Sequence, residues 1–151
     1  MQMTDHFSLE ELIVSETAAR FGIDNTPPPA IIANLQVLAH GLEQVRAALG
    51  ERPIHVNSGY RCLALNKKIG GARNSQHLYG LAADIICPSY GTPLVVCHEI
   101  VAAGLKPDQV IHEFGLWCHV SFVAPGKTPR GELLTIASAS RGYEAGLNPV
   151  V

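Results

Sequence analysis

Several things are scarce in this 151-residue chain, and each scarcity excludes something. Lys and Arg total 11 against 13 Asp and Glu, a net charge of -2, and they form no cluster. The electrostatic footprint of a nucleic-acid binder is therefore missing. No apolar run approaches the roughly 18 to 20 residues that span a bilayer, so membrane insertion is not expected. The opening stretch MQMTDHFSLEEL carries acids and lacks a basic segment followed by an apolar one. No secretory signal is read there, and a cytoplasmic chain is expected until some release event. Cys62, Cys87, Cys97 and Cys118 include no CxxC pair, which excludes a Cys-rich zinc ribbon. Without a signal, buried free thiols are expected rather than disulfides. Internal repeats, low-complexity tracts and linkers are also lacking.

What is present is an ordinary globular balance, with 47% hydrophobic and 16% charged residues, enough for one domain spanning 1–151 with a real core. Ser8 and Glu11 form a capping box, with Phe7 and Leu12 placed as a hydrophobic staple. A second helix start follows at Ser15 and stops at Gly22. Pro27, Pro28 and Pro29 interrupt the chain, and a long helix follows from about Ala30. Leu35, Leu38, Leu42, Val45 and Leu49 recur every three or four residues and predict one buried face, ended by Gly50. Strands are expected at Pro53–Asn57, Leu81–Ile86, Gln109–Phe114 and Cys118–Val123, the last two joined by a turn at Gly115. Cys62–Ile69 reads as helical, and Thr92-Pro93 starts a helix that Gly104 ends. Residues 124–151 read as a surface-wrapping tail, with a short strand near Leu133 to Ile136. Helices first, then strands with helices between them, predict an α+β domain with a small, mostly antiparallel sheet.

Chemistry concentrates in three places. Asp84 lies inside the apolar run after His77 and beside Gly80, Ala82 and Ala83. A carboxylate so placed is costly to ionise without a partner or a cation. His119 sits in a second apolar strand, Trp117-Cys118-His119-Val120-Ser121. Arg61 closes the turn Ser58-Gly59-Tyr60-Arg61. Two His and one carboxylate are a standard open zinc set, although cobalt or manganese suits the same ligands. Such a centre also needs a base and a cation for developing negative charge. Glu113, across the Gly115 turn from His119, is the candidate base, and Arg61 the candidate cation. The competing reading of each residue alone is ordinary: a hydrogen-bonded core His or Asp, a solvent-facing Glu, an Arg tying down a loop. His6, His40, His55 and His98 show no partner pattern. His112, next to Glu113, should face the other way and is the weaker alternative ligand.

These residues resemble the zinc D-alanyl-D-alanine carboxypeptidase family, with its hedgehog/D,D-peptidase fold, and most of all its compact phage and bacterial members. The resemblance runs through Ser58-Gly59-Tyr60-Arg61, Asn66, Ile69-Gly70-Gly71-Ala72, Ser75-Gln76-His77, Gly80, Ala82, Asp84, Trp117, His119 and Ser121. With Leu9 to Asn25 it covers about residues 7–123. It implies helices packed on a central sheet, one zinc per chain on His77, Asp84 and His119, and Arg61 at the substrate or oxyanion. Ser75, Gln76 and Trp117 would line the cleft, and the substrate would be the peptide of bacterial peptidoglycan. One departure stands out. Many peptidases of this fold carry an acid three residues before the last His, where this chain has Leu116. Glu113 stands six before it, as in the hedgehog signalling domains, which keep zinc without being established peptidases. Two readings follow: a peptidase, cutting either the D-Ala-D-Ala end or an internal bond, or a phage structural or binding module that keeps zinc for stability. Accumulation as a phage lysis protein, or delivery in a phage tail, would suit a wall enzyme without a leader.

Overall fold

The computed structural model describes residues 1–151. Five α-helices occur in chain order: α1 Leu9–Ile13, α2 Glu16–Arg20, α3 Pro29–Ala48, α4 Leu63–Ile69 and α5 Pro93–Ala102. Six strands are β1 His55–Ser58, β2 Ala82–Ile86, β3 Gln109–Glu113, β4 Trp117–Ser121, β5 Glu132–Ile136 and β6 Tyr143–Ala145. They form one sheet in the order β1-β2-β4-β3-β5-β6. Every neighbouring pair is antiparallel except β3 with β5, which run parallel. The architecture is α+β with a mostly antiparallel sheet, as the element order predicts, and the one parallel pair makes the sheet mixed, which that order does not predict.

The capping box at Ser8 and Glu11 is formed, and Phe7 and Leu12 are both buried. Helix α3 begins at Pro29 in its first turn and has no side-chain cap. A missing cap costs about 1 kcal/mol. Each of Leu35, Leu38, Leu42, Val45 and Leu49 is fully buried, and such a side chain contributes roughly 1.5–3 kcal/mol. Burial therefore decides this helix. Gly41 on α3 leaves room for Phe122, whose ring would lie 2.4 Å from a Cβ at that position.

One face of the sheet packs on the helices. Ala83, Ile85, Val110, Cys118 and Val120 join the α3 leucines and Val96, Cys97 and Ile100 of α5 in a single core. Alternation along the strands sends Asp84, Glu113, Trp117 and His119 to the opposite face. The four cysteines are free thiols, three of them buried in that core. No helix is long and apolar enough to cross a membrane.

Residues 124–151 do more than lie on the surface. The Leu133 to Ile136 pattern becomes β5, which covers the edge of β3, and β6 adds a further strand that the sequence does not announce.

Candidate metal centre

Antiparallel register assembles the site. Asp84 pairs with His119 across β2 and β4, and Glu113 pairs with Trp117 across β3 and β4. Because side chains two residues apart on a strand share a face, Glu113 and His119 lie on the same side. Phe114 and Gly115 take positive φ in the tight turn between them. His77 comes from a separate piece of chain, a 3-10 turn at Gln76–Tyr79 capped by Ser75 and ended by Gly80 in the left-handed region.

The three expected ligands converge. Asp84 Oδ1 lies 3.3 Å from His77 Nε2 and 3.1 Å from His119 Nδ1. All three side chains are buried, and their ligand atoms lie within 4.8 Å of one another. His77 Nδ1 sits 2.7 Å from the Gly59 carbonyl oxygen. A carbonyl only accepts, so Nδ1 carries the hydrogen and Nε2 presents a lone pair to the cluster. Burial, with the nearby Arg61 and His119, pulls the His77 pKa down despite Asp84, which keeps that imidazole neutral. A lone pair then faces a carboxylate oxygen at 3.3 Å, an arrangement that asks for a cation between them. Zinc bonds of about 2.0–2.1 Å in a tetrahedron separate ligand atoms by roughly 3.3 Å, so both measured separations fit. The donor set and its spacing suit a zinc ion on His77, Asp84 and His119.

Charges around the cluster reinforce one another. Burial alone would raise the Asp84 pKa, but the hydrogen bond and charge of His119 oppose it, and the carboxyl is held far below the usual range. Burial would lower His119, and the hydrogen bond and charge of Asp84 outweigh it, so its pKa rises. Glu113 Oε2 lies 4.0 Å from His119 Nδ1. Its other oxygen accepts a 2.7 Å hydrogen bond from Trp117 Nε1. Burial and the charge of Asp84 push the Glu113 pKa above the ordinary carboxylate value.

Arg61 closes the other side. Its guanidinium donates to Ser58 Oγ, Asn66 Oδ1 and Asp84 Oδ2 at 3.0, 3.3 and 3.2 Å. Of five N–H groups that leaves two free. The turn carrying Arg61 is itself splinted. Asn25 accepts from the Cys62 N–H and donates to the Tyr60 carbonyl, and the Tyr60 N–H donates to the Leu12 carbonyl. A cleft of about 510 Å³ opens here, with Arg61, Asp84 and Trp117 at its inner end and Val14, Glu16, His55 and Ile69 along it.

Sequence reading and structure differ in detail. Ser75 and Gln76 do not line this cleft. The Ser75 hydroxyl accepts from the His77 N–H, and the Gln76 amide donates to Asp108 at 3.0 Å, so both shape the turn that carries His77. Their small polar side chains beside a ligand gave no means of telling the two tasks apart. His112 faces away from the cluster and hydrogen-bonds the Asn148 carbonyl at 2.8 Å, which removes it as an alternative ligand. The Gly59 carbonyl that orients His77 was not foreseeable, since a backbone oxygen leaves no mark in a sequence.

A buried two-His, one-carboxylate cluster, with a further, partly buried carboxylate beside it and a cleft leading to it, is a centre of the metallohydrolase type. The chain belongs to the Peptidase M15 family, whose model matches residues 5–123. It is also 46% identical over 59 residues to the zinc D-Ala-D-Ala carboxypeptidase of Streptomyces albus G. That stretch is 39% of this chain and 23% of the relative, so the chain spans about a quarter of that protein's length.

Proposed function

We propose that this protein is a zinc peptidase that hydrolyses peptidoglycan peptides at or near their D-Ala-D-Ala end, with His77, Asp84 and His119 holding the metal. The observation that carries the reading is the position of Glu113, 4.0 Å from His119. Glu113 offers a carboxylate beside the cluster, whereas Leu116, exposed in the turn, offers none. A partly buried carboxylate beside the ligands, together with a cleft that reaches Asp84 and Arg61, favours the peptidase reading over the non-catalytic module. The family match and the similarity to a zinc D-Ala-D-Ala carboxypeptidase support the same reading.

A zinc ion held by His77, Asp84 and His119 would supply Lewis acidity there, enough to lower the pKa of a water and to polarise a carbonyl. Glu113 takes the proton of the attacking water and returns it to the leaving amine. Its raised pKa suits both transfers. Trp117 fixes one Glu113 oxygen and leaves the other turned to the site. Arg61 offers its two remaining N–H groups to the oxyanion or to a substrate carboxylate. Ser75 and Gln76 act through the turn that holds His77.

The test has two parts. Bound zinc is measured by mass spectrometry in the wild type and in His77→Ala, with about one ion per chain expected in the first and loss in the second. Release of D-Ala from a pentapeptide ending in D-Ala-D-Ala is then followed for the wild type and Glu113→Gln. The variant should keep its zinc and lose turnover by roughly 10²–10⁴-fold. Near-normal turnover in Glu113→Gln sinks the assignment of the base, and a chain that takes up no zinc sinks the whole reading.

A further inference from the structure

The sheet continues past the metal cluster into a region that the family match, ending at residue 123, does not reach. Glu113 pairs with Ile136 of β5, and Ile136 pairs with Tyr143 of β6. Directly paired residues point to the same face of a sheet. Trp117, Glu113, Ile136 and Tyr143 therefore form one row across four strands on the site face. Ile136 is buried within that row, whereas Tyr143 is 54% exposed. Two strand spacings, about 10 Å, separate the backbones of Glu113 and Tyr143, and the phenol is long enough to lean across part of that gap. Its surroundings agree: burial, then the charges of Glu113 and Asp84, raise the Tyr143 pKa, so the hydroxyl keeps its proton and stays a donor.

Arg61 and the cleft lie on the opposite side of the cluster, toward β1. A C-terminal carboxylate suits the guanidinium fork. A peptide so anchored carries its N-terminal part the other way, across β3 and β5. We propose that Tyr143 is a substrate-binding residue, donating a hydrogen bond to the backbone of the peptide two or three residues N-terminal to the scissile bond. This inference rests on the peptidase reading above. It gives residues 124–151 a task at the site, and it predicts a preference for longer peptides.

The experiment compares zinc-loaded wild type and Tyr143→Phe on two probes, a pentapeptide ending in D-Ala-D-Ala and the blocked dipeptide acetyl-D-Ala-D-Ala. Losing one neutral hydrogen bond should raise KM for the pentapeptide roughly three- to tenfold, with kcat changed little. KM for the dipeptide, which does not reach Tyr143, should stay within twofold. Zinc content and far-UV circular dichroism should match the wild type. An unchanged KM for the pentapeptide, or an equal rise for both probes, overturns the role of Tyr143 alone. If zinc-loaded wild type neither cleaves nor binds either probe, the peptidase reading falls and this inference falls with it.

Discussion

At the scale of single residues, Gly59 shows how much of the site is backbone. A Cβ there would lie 2.2 Å from the Leu12 carbonyl oxygen, so any side chain forces the turn to move. The same residue's carbonyl accepts from His77 Nδ1 and sets which nitrogen faces the cluster. Partners of this kind, once disturbed, typically cost 10- to 100-fold in metal affinity. Gly59→Ala is expected to weaken zinc binding by about that factor and to lower stability by about 1–3 kcal/mol. Competition with a chelating dye and a denaturant titration measure the two effects. Retained affinity would mean that His77 is oriented by its own 3-10 turn and not by Gly59.

At the scale of elements, Asp108 ties three segments together just before β3. It accepts from the Gln76 amide, from the Arg130 N–H at 2.8 Å, and from the Arg130 guanidinium at 2.6 Å. The hydrogen bonds from Arg130 hold its carboxyl below the usual carboxylate range. A pKa lower in the folded than in the unfolded chain gives stability that is present above about pH 4 and lost as pH falls through the folded value. Asp108→Asn should therefore cost roughly 1–3 kcal/mol at pH 7. The gap to wild type should narrow as pH falls from 5 toward 2, as chemical denaturation across that range would show. A gap that stays constant would mean that the carboxylate charge is irrelevant to the clamp.

Most elements were legible because each rests on a local signal. The capping box at Ser8, the α3 leucines and the Thr92-Pro93 start all read through to the structure. His77, Asp84 and His119 were legible as a set because polar groups in apolar runs demand a partner. The placement of Glu113 beside His119 was legible because a tight turn makes register countable. What stayed hidden depends on pairing between distant segments. The parallel alignment of β5 with β3 and the strand β6 carry little local pattern, and β6 is exposed along all three of its residues. The Asp108 clamp joins residues far apart in sequence, for which no spacing rule exists.

At the scale of the whole molecule, a bound metal would tie the turn that carries His77 to the paired strands β2 and β4. His77 lies on a 3-10 turn, while Asp84 and His119 lie on β2 and β4. A ligand present at about 100 times its dissociation constant adds roughly 2.7 kcal/mol to the folded state. For a domain of this size each kcal/mol shifts the melting temperature by about 2–4 °C. Removing zinc with a strong chelator is thus expected to lower the melting temperature by roughly 5–10 °C, and restoring zinc to reverse it. Scanning calorimetry with and without chelator decides it. No shift, with zinc shown to be bound beforehand, would mean that the site is already rigid without its ion.

The parallel alliance of β5 with β3 carries one more consequence. Cut after residue 123, the chain would keep every residue that the family model matches, yet the strand bearing Glu113 would become an outer edge. A bare strand offers its open row of amides and carbonyls to any other chain in solution. The last 28 residues, 124–151, then serve as a guard against self-association, and a shortened chain should form soluble aggregates that the full chain does not.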